Sequence, residues 1–150
     1  MTMRWMFAVF HLLALGIGLG AVWARSRALR QSLDAAGLQR VFTADAWWGV
    51  AALLWLSTGL VRLLGSLEKS TTWYLHNHYF LLKMALFLAI LVLELAPMMA
   101  FIRWRAAARR GELPDTTRAM TFSRASALQA ALVVAMVFAA TAVARGLGAR

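Results

Sequence analysis

Residues 79–104, YFLLKMALFLAILVLELAPMMAFIRW, decide the fold. The apolar run is long enough to cross a bilayer, which takes about 20 residues. Yet Lys83 and Glu94 lie inside it, and Pro97 follows. A charge near the middle of a spanning helix costs roughly 2.5–3.5 kcal/mol on insertion scales, so such residues are seldom idle. Lys83 and Glu94 are eleven residues apart, close to three helical turns, and so share one face.

Outward from this stretch the apolar residues come in blocks. With residues 79–102, the segments 5–24, 46–64 and 125–144 are each long enough to span. The expectation is an all-α fold: an integral membrane four-helix bundle, with the 150 residues forming a single transmembrane domain. Composition agrees, since 62% of residues are hydrophobic and 15% charged, against about 25% charged in a soluble domain. The first block is also longer than the 7 to 15 or so residues of a signal-peptide core, so it reads as a retained helix.

Several function classes drop out. The chain has no cysteine, which removes disulfides, thiolate metal sites, iron–sulfur clusters and cysteine nucleophiles together. No phosphate loop, nucleophile elbow, HExxH or dinucleotide-binding glycine pattern is present. The net charge of +10 comes mostly from Arg. These residues flank apolar blocks, so topology and the lipid bilayer explain them, and no nucleic acid is expected as a partner. Loops 25–45 and 103–124, with their flanks, hold ten of the sixteen Lys and Arg residues. Positive charge marks the inner side, so both loops are expected in the cytoplasm of a bacterial cell. Both termini and the histidine-bearing loop then lie outside the inner membrane.

Depth sorts the polar residues into layers, at about 1.5 Å of rise per residue. Counted from the outer surface, Arg62, Lys83 and His11 fall roughly 3, 6 and 9 Å deep. His76 and His78 sit just above them. Glu94 and Gln129 both come out near about 22 Å, and Gln129 is expected to donate a hydrogen bond to Glu94. Pro97 frees the carbonyl of Leu93 beside them. Trp47 and Trp48 suit an interfacial belt.

Two cations and an imidazole in one layer suit a small anionic ligand bearing carboxylates or phosphate. The plainer readings stand beside this one. Lys83 and Arg62 snorkel to headgroups, and His11 is a hydrogen-bonded helix contact. Glu94 is then a paired structural carboxylate, or else a proton relay. His76 and His78 are either solvated loop residues or, with His11, ligands for a transition metal. Gly16 with Gly20, and Ala131, Ala135 and Ala139, form small-residue faces that permit close helix packing or a homodimer.

The segment WYLHNHYFLLKMALFLAILVLELAPM and the following FIRWR resemble a family of uncharacterised bacterial four-span membrane proteins, a domain of unknown function. The start, WMFAVFHLLALGIGLGAVWARSRALR, is similar to the first span of the helical membrane protoporphyrinogen IX oxidases. Trp5, His11 and Arg25 or Arg27 match that pattern, and Lys83 matches a Lys in a later span. Glu94 stands where that family has a second His. Copper-resistance D proteins look distantly related as well. This second resemblance implies a haem-binding or tetrapyrrole-oxidising bundle, with His11 as axial ligand and Lys83 as an essential partner; in a redox protein of that kind Lys83 and Arg62 would hold carboxylates. Lys83 and Glu94 would then be the catalytic pair. The rival expectations are a metal or small-solute carrier and a structural or assembly partner without a ligand.

Overall fold

The computed structural model describes residues 2–64 and 71–148, the side chains of residues 2, 4, 62 and 71 excepted. Among them all regular structure is helical: α1 (Thr2–Ala28), α2 (Ala35–Leu64), the single turn and a half of α3 (Thr71–Leu75), α4 (His78–Arg109) and α5 (Ala119–Ala144). The four long helices have 27, 30, 32 and 26 residues, and each is long and apolar enough to cross a membrane. Their outer faces carry large apolar side chains, among them Leu53, Leu88 and Phe138. Such an exterior suits hydrocarbon rather than water.

The helices outrun the apolar blocks. Residues 25–45 were expected as a polar loop, yet α1 continues through Arg25 to Ala28 and α2 begins at Ala35. The turn between them is tight. Asp34 caps α2 by accepting a hydrogen bond from the Gly37 N–H at 2.7 Å. A side chain at Gly37 would run into the Ser32 carbonyl. Asp45, expected at a loop edge, therefore lies inside α2. Helix α4 runs unbroken through the buried Pro97. The expected loop 65–78 contains α3, while residues 65–70 lie outside the described part.

The helices run alternately up and down. Helix α1 packs broadly on α2 and on α5, and α5 packs broadly on α4; α2 and α4 meet only narrowly. Gly18 lets α1 approach α2, since a Cβ there would sit 3.3 Å from the Ala51 Cβ and 3.4 Å from the Trp48 ring. The core has two main parts. Ala14, Val22, Trp55, Ile90, Val133 and Met136 fill the middle, and Val41, Phe101, Trp104 and Phe122 fill one end.

Both ends are finished by local bonds. Asn77 is fully buried; its Oδ1 accepts from the Phe80 N–H at 3.0 Å, capping α4. Its Nδ2 donates to the Leu147 carbonyl at 2.8 Å, docking the C-terminal turn beside α3. Gly148 in that turn has φ +76° and lies against Tyr79. At the opposite end Gly111, with φ +74°, turns the chain between α4 and α5. There the hydrogen bond from Arg110 holds the Glu112 carboxyl below its usual range, and the Thr117 backbone N–H does the same for Asp115.

Candidate functional site

Two polar assemblies are buried in the bundle, one toward each end. The first surrounds His11. Its ring is buried in α1 against α2. The Trp55 indole Nε1–H donates to His11 Nε2 at 2.8 Å. An indole nitrogen can only donate, so Nε2 is the unprotonated nitrogen. The proton of the neutral ring is then on Nδ1, which donates to Thr58 Oγ1 at 2.9 Å. The Thr58 hydroxyl in turn donates a hydrogen bond to the Leu54 carbonyl at 2.6 Å. Gly59 leaves room for the ring, its Cβ position lying 3.4 Å from His11 Cε1.

Beside this relay is a cavity of about 390 Å³ between α1, α2, α4 and α5. His11, Trp55, Gly59, Phe80, Lys83 and Met136 are in its walls, and Tyr74 of α3 closes part of its end. The volume falls in the usual range for a small-molecule site, roughly 300–1,000 Å³. Lys83 is half-buried there, so the structure brings His11 and Lys83 to one space. The Arg62 side chain lies outside the described residues.

The second assembly is centred on Arg25. Its guanidinium is completely buried and makes five hydrogen bonds to the other three long helices. It grips both carboxylate oxygens of Glu94 at 2.8 Å each, a two-pronged pairing. It also reaches Asp45 Oδ1 at 2.8 Å, Gln129 Oε1 at 2.8 Å and Ser126 Oγ at 3.0 Å. Gln129 Nε2 donates to Glu94 Oε2 at 2.8 Å, as its depth predicts. Trp48 Nε1 donates to the same oxygen at 3.0 Å. Trp48 is thus a buried donor rather than part of an interfacial belt; Trp47 is the exposed one of the pair. Arg105 pairs with the other Asp45 oxygen at 2.7 Å, which closes the set. Next to it Ser26 and Ser123 exchange hydrogen bonds between their hydroxyls and carbonyls, each at 2.9 Å, tying α1 to α5. Among the described residues no buried side-chain nitrogen or oxygen lacks a partner.

The expected site residues therefore fall into separate places. His11 and Lys83 share the cavity. Glu94 lies about 16 Å along α4 from Lys83, in the Arg25 cluster. His76 is exposed on the connection between α3 and α4, its Nδ1–H donating to the Thr72 carbonyl at 2.8 Å, and His78 is exposed at the start of α4. Among the described residues no three His, Asp or Glu side chains come together as a metal-binding group, so His11, His76 and His78 are not assembled as one. Haem fares no better at His11 as it stands. An axial ligand needs a lone pair at a ring nitrogen, and Trp55 already occupies that of Nε2. The place of a second axial His is held by Glu94, which Arg25 engages with both prongs.

Taken together, the geometry defines a four-helix membrane protein with an ionic core at one end and a ligand-sized cavity at the other. The chain belongs to the family described as "Predicted membrane protein (DUF2214)", whose model matches residues 3–148. No curated protein and no solved structure matches it.

Proposed function

We propose that this membrane protein binds, and in its native setting carries or presents, a small anionic ligand in the cavity beside His11. One observation carries the reading: an ammonium group, Lys83, stands in the half-buried wall of a space otherwise lined mainly by apolar side chains. In such surroundings water screens little, so a carboxylate or phosphate near Lys83 gains more than it would in solution. His11 is held as a neutral ring and contributes shape and polarity rather than charge. The Arg25 cluster is the scaffold, its charges already matched to one another. On this reading the Arg25 end, with its basic flanks, faces the cytoplasm of a bacterial cell and the cavity faces the outer side of the inner membrane, as the positive-inside tendency favours.

Native mass spectrometry of wild type and Lys83→Met, purified alike, tests this reading. An anionic species should accompany wild type and be missing from the variant. Equal occupancy in the two proteins, or a bare wild type, overturns it.

A haem- or tetrapyrrole-linked redox role is the second reading, favoured by His11 and Lys83 bordering the same space. It requires Trp55 to release His11. Trp55→Phe should then acquire a Soret band on incubation with haem, more strongly than wild type. Colourless preparations of both would remove the redox reading.

A further inference from the structure

Helices α2 and α4 are tied by polar bonds at one end and flank a groove at the other. Near Arg25 they are tied three times: Trp48 to Glu94, Arg105 to Asp45, and Arg105 Nη2 to the Phe42 carbonyl at 3.1 Å. Toward His11 the Trp55 ring of α2 meets Phe87 of α4 edge-on, at 6.0 Å between centroids. A groove of about 100 Å³ opens between them there. Its walls include Leu56 and Leu60 from α2 and Met84 and Phe87 from α4. It shares His11, Trp55 and Lys83 with the larger cavity, so the two spaces adjoin.

We infer that this groove is a lateral entrance from the bilayer, and that the ligand is a single-chain amphiphile with an anionic head. The inference rests on the binding role proposed above and names the class of ligand. The head would lie beside Lys83 and the chain between α2 and α4. Three features select that occupant. The groove's own walls are apolar side chains on helices whose outer faces meet lipid. It is much the smaller of the two spaces, about 100 against 390 Å³, which suits a segment of one chain better than a bulky fused ring system. Leu56, Leu60 and Met84 are 44%, 46% and 40% exposed, so the groove communicates with the outside of the bundle rather than ending inside it. From Leu56 to Leu63 the wall runs about 10 Å, long enough for a chain segment.

Palmitate with a diazirine midway along its chain, in nanodiscs holding the full chain, is the probe. Photolabelling should concentrate on the peptides bearing Leu56, Leu60, Met84 and Phe87. Leu60→Trp fills the groove from an exposed position, and should lower that labelling roughly tenfold, the effect of about 1.4 kcal/mol of lost affinity. Benzoate, which has a carboxylate and no chain, should still bind Leu60→Trp and lose binding in Lys83→Met. Labelling spread evenly over all lipid-facing helices, and unchanged by Leu60→Trp, overturns the lateral route while benzoate binding keeps the cavity reading. Loss of Lys83 dependence for both probes overturns both. If Leu60→Trp does not fold, competition on wild type decides. Excess palmitate should suppress groove labelling and excess decane should not; equal suppression by the two means that no head group is recognised.

Discussion

Arg25 touches every other long helix, and its neighbours are arranged for it. Removing one partner of a buried ion pair leaves the other charge uncompensated, at about 3–5 kcal/mol. Arg25→Ala should therefore lower thermal stability in detergent by that order, because both Glu94 and Asp45 lose a partner. Arg25→Ala combined with Glu94→Ala should cost clearly less than the two single changes added together; simple additivity in the melts would mean that the pair is not coupled. Arg25→Lys should remain well below wild type, since a point charge cannot reproduce a planar fork. At the other end, Trp55→Phe strands the acceptor at His11 Nε2, a cost of about 1–3 kcal/mol. Nitrogen NMR of the imidazole checks the tautomer. Wild type should show the proton on Nδ1, and a proton on Nε2 would undo the bonding scheme around His11.

At the scale of helices, the four spans were plain from apolar blocks alone, because nothing but burial or lipid accommodates so many Leu, Ala and Val residues in a row. Their ends were not plain. Arg25 and Asp45 looked like flanking charges because hydropathy scores each residue by itself, whereas these two neutralise each other inside the bundle. The signal available was scarcity: a chain with only six acidic residues places Asp45 and Glu94 next to or within apolar stretches. Depth alone was enough to pair Gln129 with Glu94. It could not find Arg25, whose Cα sits at the rim while its long side chain reaches inward. Trp55 as partner of His11 was equally hidden, since an indole within an apolar block reads as packing. Glycines give a sharper test of which faces meet. Gly18→Leu must push Trp48 and Ala51 away and should cost about 1–3 kcal/mol in thermal melts. A Cβ at Gly16 or Gly20 would meet no atom of a neighbouring helix within 4 Å. Gly16→Leu should leave the monomer's stability within about 0.5 kcal/mol. A change in its oligomeric state by cross-linking would assign that glycine face to a homodimer.

For the whole molecule, charge is distributed by end. Among the described residues most exposed Arg side chains, Arg27, Arg40, Arg103, Arg109 and Arg124 among them, lie at the Arg25 end; the cavity lies at the far end, where Arg145 is exposed. Because the chain has no cysteine, single reporters are easily placed. In intact cells His76→Cys should react with a membrane-impermeant maleimide, and Glu112→Cys only after lysis. The reverse pattern would invert the orientation and put the cavity on the cytoplasmic side.

The ionic knot joining Arg25, Arg105, Asp45 and Glu94 contains two guanidiniums and two carboxylates, so its formal charges cancel. A transmembrane voltage does work only on net charge that moves, about 2.3 kcal/mol per unit charge for each 100 mV. Energising the membrane should thus exert almost no net force on the knot itself. Neutralising a single member would give the field a handle, turning an electrically silent joint into one that responds to potential.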